Sequence, residues 1–319
     1  MSARRWTCAA ALAAVALASV VGGAAAGKRP REHRLTVQEW ADSVRQVPVR
    51  GASLAVVALG HGEPVVFVHG FAADYRTWVN QFQSFAAGHR VIAYSRRYHF
   101  PNTGGGDGRD YGDALHEQDL LALLDALHVR TATLVAHDDG GSIAARFAAD
   151  HPDRVRALVL VEPTLPELLK GTAHESDWQS GWLVASERAR QSLENDFTDL
   201  GFGAIAEWRY GDEAMMQLPK PVLHRFGDNA AAIKYAVLSR AKRVPFGADR
   251  VRAIHCPVLV VDGAKSPWHA KAIADAFVAD LPGARRETIR RASHGPMWDD
   301  ASAFDKAVLP FVDRPVAGE

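Results

Sequence analysis

From Val47 onward, short runs in which nearly every residue is apolar alternate with longer stretches whose apolar residues recur every three or four positions. The short runs read as strands: Ala52 to Leu59, Pro64 to His69, Arg90 to Tyr94, Thr131 to Ala136, Arg156 to Val161, Pro257 to Asp262 and Arg286 to Ile289. Stretches such as Leu158-Val159-Leu160-Val161 carry no polar alternation, as expected of strands buried on both faces. Helices are expected near Tyr75 to Phe85, Asp113 to Leu127, Gly140 to Ala149, Ala270 to Ala279 and Ala301 to Val312. This alternation predicts the α/β class, with a mainly parallel sheet flanked by helices. The rhythm breaks between Pro163 and about Gly247, a helix-like stretch carrying Trp178, Trp182, Trp208, Tyr210 and Tyr235. It reads as a helical lid inserted over the carboxyl edge of the sheet, where open α/β sheets bind ligands. The expected division is residues 27–162 and 248–319 for the core and 163–247 for the lid.

The chain has 319 residues, 48% of them apolar, enough for one large core with an insertion. Lys plus Arg and Asp plus Glu both number 37, so no basic excess points to nucleic acid or an anionic membrane surface. Residues 1–26 look different: Arg4 and Arg5 precede an Ala/Val-rich run from about Thr7 to Val21, with a small-residue site at Ala24-Ala25-Ala26. This is the pattern of a cleaved secretory signal peptide, which predicts a secreted or periplasmic protein. The run is too short for a membrane span, and none is expected after its removal. Cys8 would leave with the signal, so Cys256 would have no disulfide partner within the mature chain. Residues 104–108, Gly-Gly-Gly-Asp-Gly, do not follow a strand in dinucleotide-binding spacing and read as a loop.

The densest chemistry is Leu134-Val135-Ala136-His137-Asp138-Asp139-Gly140-Gly141, an apolar strand closing on a small-residue turn. A strand that turns sharply into a helix needs small residues two positions either side of the residue at its tip. Ala136 and Gly140 meet that need around Asp138, whereas centring the turn on Asp139 would put His137 in the first small position. His69-Gly70-Phe71 follows an earlier strand, and backbone N–H groups of Phe71 and Asp139 could form an oxyanion hole. His294, in Ser293-His294-Gly295-Pro296, follows the last strand.

Together these residues resemble the α/β-hydrolase superfamily, and the His-Asp-x-Gly-Gly turn is similar to the epoxide hydrolase and haloalkane dehalogenase branch. The segment from Tyr94 to Asn102 also resembles a loop of an α/β-hydrolase subgroup whose members vary in nucleophile. The resemblance implies an α/β-hydrolase fold with Asp138 as nucleophile and His294 as base. An aspartate nucleophile makes an alkyl-enzyme ester, which water then cleaves at the aspartate carbonyl. Where the family often places its acid, Gly263-Ala264-Lys265-Ser266 ends on a serine. Two carboxylates can replace it: Glu162, ending the strand after the elbow, is favoured, and Asp262 is the alternative.

The resemblance implies an epoxide opened to a vicinal diol, with Tyr210 or Tyr235 donating the proton and an apolar or aromatic small-molecule substrate against Trp178 and Trp182. Two departures bear on this. Asp139 stands where the branch often has Trp, which removes a halide-holding N–H and leaves no positive charge there for a small anionic substrate. Ala72 replaces the usual Pro of the His-Gly-x-Pro turn. The alternatives are a haloalkane dehalogenase-like hydrolase and a degenerate, non-catalytic ligand-binding protein. The histidines lack metal-ligand spacing, so no metal is expected, and the chemistry calls for no cofactor.

Overall fold

The computed structural model describes residues 42–102, 106–211, 220–239, 241 and 244–315. The expected signal at 1–26 lies outside these residues, as do positions 104 and 105 of the glycine-rich loop. Eight strands form one sheet: β1 (Arg45–Val49), β2 (Ala52–Leu59), β3 (Pro64–Val68), β4 (Arg90–Tyr94), β5 (Ala132–His137), β6 (Val155–Val161), β7 (Val258–Gly263) and β8 (Arg285–Ile289). Their order is β1-β2-β4-β3-β5-β6-β7-β8, antiparallel at β1/β2 and β2/β4 and parallel from β4 onward.

The strands expected from the sequence all form, within a residue or so at each end. The sequence reading missed β1, for a physical reason. It is an edge strand with Pro48 inside it, and of its residues Val47 alone is buried, so it carries no apolar run. The expected helix at Tyr75 to Phe85 is split into a 3-10 turn, Tyr75–Trp78, and helix α1, Val79–Ala86.

Alternation along the central strands divides the core into two layers. Val66, Val68, Leu134, Ala136, Leu158 and Leu160 face helices α2 (Asp113–Ala126) and α3 (Asp139–Asp150) and the later helix at Trp268–Asp280. Val65, Phe67, Val135, Val159 and Val161 face Trp78, Phe82, Phe85, Phe304 and Phe311, with Phe67 stacked on Trp78 at 4.8 Å between ring centres. Both faces are covered, which is why the strand sequences are apolar without interruption.

Four described helices cover the carboxyl edge of the sheet: α4 (Glu175–Glu194), α5 (Thr198–Tyr210), α6 (Lys220–Asp228) and α7 (Ala230–Leu238). Helices α4 and α5 pack through small residues, including Ala185, Ala189 and Ala204. A Cβ on Gly181 would lie 2.1 Å from the Trp208 ring, so that indole occupies the space the missing side chain leaves. The lid is tied to the core at Asn229, whose Oδ1 accepts the Phe100 N–H at 2.8 Å and whose Nδ2 donates to Asp74 Oδ2 at 2.8 Å.

Candidate active site

Strand β5 ends at His137, and Asp138 then turns the chain into α3 with φ 55° and ψ −122°, a backbone conformation that costs energy for any residue with a side chain. The crowding that demands small neighbours is explicit. A Cβ on Gly140 would lie 2.4 Å from the His69 carbonyl oxygen, and one on Gly70 would lie 2.7 Å from Cβ of Asp138. The register pairs His137 with Val161, so the turn after β5 and the turn after β6 stand side by side. The second turn carries Glu162, also at positive φ, 46°.

The loop after β3 is held open toward Asp138 by a fixed network. His69 Nε2 accepts the Arg96 N–H at 2.9 Å, so its Nδ1 carries the proton and donates to the Gly70 carbonyl at 3.0 Å. Arg96 Nη2 also donates to that carbonyl, at 2.8 Å. With the carbonyl held, the N–H of Phe71 turns inward and donates to Asp138 Oδ2 at 2.9 Å. Ala72, which stands where the resembling family usually has proline, has φ 50°, which the proline ring forbids. Asp139 follows as the first residue of α3.

His294 reaches the same point from the loop after β8. Its Nδ1 pairs with Glu162 Oε2 at 2.7 Å, and its Nε2 faces Asp138 Oδ1 at 3.9 Å. Facing a carboxylate, Nδ1 carries a proton, which leaves Nε2 of the neutral ring as the basic atom. Burial would push this histidine's pKa down, but the bond and charge of Glu162 outweigh it and the pKa is raised. Glu162 Oε1 is held by the Gly263 N–H at 2.9 Å and by the Ser266 hydroxyl. The serine in the turn after β7 therefore braces Glu162. Asp262, the alternative, is spent on Arg286, at 2.6 Å to Nε and 2.5 Å to Nη2.

Arg209, at the end of α5, was missed in the sequence. Its Nη1 donates to Asp138 Oδ1, its Nη2 donates to Asp139 Oδ1 at 2.9 Å, and its Cζ lies 4.8 Å over the Phe71 ring. Asp138 Oδ1 also accepts from the Thr164 hydroxyl at 2.6 Å. Burial would raise the Asp138 pKa, but the charges of Arg209, His294 and His137 and the Thr164 hydrogen bond together outweigh it and hold it low. The guanidinium corrects the inference that the elbow lacks positive charge, because the lid supplies it. Arg209 shares a helix face with Ile205 and Ala206, whose burial shows only in the structure, so the sequence held no local signal for it.

These groups border a cavity of about 280 Å³, whose walls include Trp178, Trp182, Ile205 and Trp208. Trp178 and Trp182 stack with ring centres 5.9 Å apart. The two candidate tyrosines are placed differently. Tyr210 packs edge-on against the His294 ring at 4.9 Å and is not among the lining residues. Tyr235 lines a separate cleft beside Gly108 and packs edge-on against Tyr98 at 5.0 Å, so the structure does not bring it to Asp138. Among the described residues no cluster of His, Cys, Asp or Glu could hold a metal ion, and no helix is long and apolar enough to cross a membrane.

The alpha/beta hydrolase fold family model matches residues 63–301. A non-heme chloroperoxidase of Burkholderia pyrrocinia is 35% identical over 261 residues, covering 78% of this chain and 91% of that protein. An epoxide hydrolase of Caballeronia sordidicola is 37% identical over 113 residues, covering 35% of this chain and 34% of that protein. The chain spans 40% of the length of a further relative, the chloroperoxidase CPO-A1 of Kitasatospora aureofaciens. Among solved structures, a bromoperoxidase from Bacillus anthracis superposes with a TM-score of 0.70 at 21% identity, covering 85% of this chain and 100% of that one. The family match takes in the turns that carry Asp138, Glu162 and His294 alike, and on that ground the chain belongs to the alpha/beta hydrolase fold family.

Proposed function

We propose that this hydrolase works through an alkyl ester on Asp138 and opens epoxides to vicinal diols. The observation that carries the reading is the placement of Asp138 at the strained turn, with Oδ2 on the Phe71 N–H and Oδ1 facing His294 Nε2 at 3.9 Å. Asp138 is ionised and attacks a ring carbon through Oδ1. The ester carbonyl oxygen then takes the Oδ2 position, where the Phe71 and Asp139 N–H groups stabilise the charge that develops when water attacks Cγ. His294 removes the proton from that water, and Glu162 stabilises the resulting imidazolium. The indole walls suit an apolar or aromatic substrate.

The test separates the two half-reactions. Replacing His294 with Gln leaves alkylation possible and blocks hydrolysis, so styrene oxide should add its mass stoichiometrically to the His294→Gln chain. Peptide mapping should place the adduct on Asp138. An adduct on Asp139, or none, rejects the reading. The same carboxylate could displace halide from a haloalkane, and the position of Trp178 and Trp182 on the cavity wall favours including this second reading. Halide release without diol formation would select it. Export is part of the proposal on the pattern of residues 1–26 alone, and a mature N-terminus found upstream of position 24 in the expressing cell would reject it.

A further inference from the structure

Opening an epoxide leaves an alkoxide that needs a proton as the ring breaks. This inference rests on the reading of Asp138 as nucleophile. Tyr235 lines another cleft and Tyr210 is not among the residues lining the cavity. Asp139 is among them, and its side chain is 20% exposed against 3% for Asp138. The other carboxyls of the cavity have partners that commit them elsewhere. Glu162 is bound to His294, Asp113 to Arg146 at 3.3 Å, and Asp110 accepts the Tyr98 hydroxyl at 2.7 Å.

We propose that Asp138, Arg209 and Asp139 form one catalytic unit, in which Asp139 is the acid that protonates the ring oxygen while Arg209 positions both carboxyls. The two terminal nitrogens of one guanidinium hold one oxygen of each, so the two carboxyls stand side by side on the rim of the same cavity. A buried and a partly buried carboxylate against one cation leave an excess negative charge, which a proton on one of them relieves. The hydrogen bonds decide which one. Asp138 accepts from the Phe71 N–H, the Thr164 hydroxyl and Arg209, three donors that favour its anion. Asp139 has Arg209. Burial raises the Asp139 pKa and the neighbouring Asp138 raises it further, against the pull of Arg209 and Arg96, while Asp113 adds to the rise. Tyr111, on the same wall, is committed elsewhere: His99 Nδ1 donates to the Ala73 carbonyl at 2.7 Å, so its Nε2 accepts the Tyr111 hydroxyl at 2.9 Å.

The protons balance within the site. The Asp138 Oδ1–carbon bond forms, the ring carbon–oxygen bond breaks with its electron pair on oxygen, and that oxygen takes the Asp139 proton. In hydrolysis water gives its proton to His294, which passes it to the departing diol oxygen. Asp138 is left as the carboxylic acid, and its proton returns to Asp139.

The experiment measures adduct formation on Asp138 in the His294→Gln background with styrene oxide and with 1-bromobutane, whose leaving group needs no proton. Asp139→Asn should slow the epoxide by about 10²- to 10³-fold, the loss expected for general-acid assistance, and the bromide by no more than about threefold. With Asp139 intact, epoxide alkylation should also fall as pH rises through the raised Asp139 pKa, and this limb should be absent from the bromide profile. Equal slowing of both reagents would make Asp139 structural, and no slowing of either would exclude it as the acid. An epoxide-specific loss in Tyr210→Phe would assign the proton to the tyrosine. These three outcomes overturn the acid assignment and leave the nucleophile in place. Absence of any Asp138 adduct with either reagent overturns the nucleophile reading, and this inference with it.

Discussion

The floor of the cavity is built from strand ends and its roof from the lid helices, and the two hold their functional groups in different ways. Asp138 and Glu162 sit where paired strands stop, each fixed by the register of β5 against β6 and by a positive φ that the sheet imposes. Arg209 hangs from α5, whose place depends on small residues meeting α4 and on one indole filling the space at Gly181. The floor has a fully buried core beneath it, with Val135, Ala136, Val159 and Leu160 at 0% exposure. The lid turns Leu183, Val184, Phe197 and Leu200 outward, at 60% exposure or more. Strand ends therefore set Asp138 and Glu162 by hydrogen-bond register, whereas the lid brings Arg209 to its carboxyl partners on a helix placed by side-chain packing.

The largest expected effect breaks the floor. Glu162→Gln keeps the shape and removes the charge that stabilises imidazolium, so hydrolysis of the Asp138 ester should slow by about 10³- to 10⁴-fold, comparable to losing the acid of a serine triad. Alkylation should change far less. Asp262→Asn, which loosens Arg286 at the far side of β7, should lower Tm without that kinetic split. Single-turnover rates distinguish the two steps, and the reverse ranking would return the acid to Asp262.

The roof should respond in the other half-reaction. Arg209→Lys keeps a positive charge but cannot span two carboxyls with a planar fork. Alkylation should slow by about 10- to 100-fold while ester hydrolysis changes little. If both half-reactions slowed together, Arg209 would be holding the whole elbow, and the distinction between floor and roof would collapse.

The same difference explains what could be read in the sequence. The elbow was legible because a tight strand-to-helix turn imposes small residues at fixed spacing, and Ala136 and Gly140 left one frame for Asp138. His294 and Glu162 were legible because each follows a recognisable apolar strand. Arg209 was not, because nothing local says which face of a lid helix looks inward when exposed Leu183, Val184 and Leu200 are as apolar as the buried face. The tyrosines show the same gap: Tyr210 meets His294 and Tyr235 meets Tyr98, a difference set by helix packing. The edge strand β1 lacked an apolar run, so it had no signal to give.

Gly181→Ala sharpens the comparison by moving the roof without touching a polar group. The added Cβ would lie 2.1 Å from the Trp208 ring, so α4 and α5 must part or the indole must swing. Overpacking of this kind costs about 1–3 kcal/mol. Tm should fall by several degrees, and alkylation by up to about tenfold as Arg209 follows its neighbour. Unchanged rates with a lowered Tm would mean that Arg209 is held by its carboxyl partners and not by the helix that carries it.

The smallest expected effect is on acid stability, and it weighs a floor histidine against one that meets the roof. His137 lies under the elbow, its Nε2 donating to the His294 carbonyl at 2.8 Å, and burial and then the neighbouring His294 depress its pKa to about 3. His269 stacks on Trp208 and donates to that residue's carbonyl at 3.0 Å, and burial lowers its pKa to about 4. For both, the unfolded chain binds a proton near pH 6.5 that the folded chain refuses, so their contribution to stability is complete above pH 6.5 and is lost as pH falls toward 3–4. His294 has the opposite sign: its raised pKa adds stability below pH 6.5 that disappears as pH rises through the folded value. Lowering the pH from 7 to 5 should therefore lower Tm. His269→Asn should flatten that fall by an amount on the order of 1–2 kcal/mol, a few degrees, if the asparagine keeps the bond to the Trp208 carbonyl. A wild-type Tm that holds steady or rises between pH 7 and 5 would mean that His294 and Glu117, whose raised pKa values act in the opposite sense, outweigh these rings, and a steep fall unchanged in His269→Asn would place the acid sensitivity in the other buried histidines, His137, His69, His99 and His116.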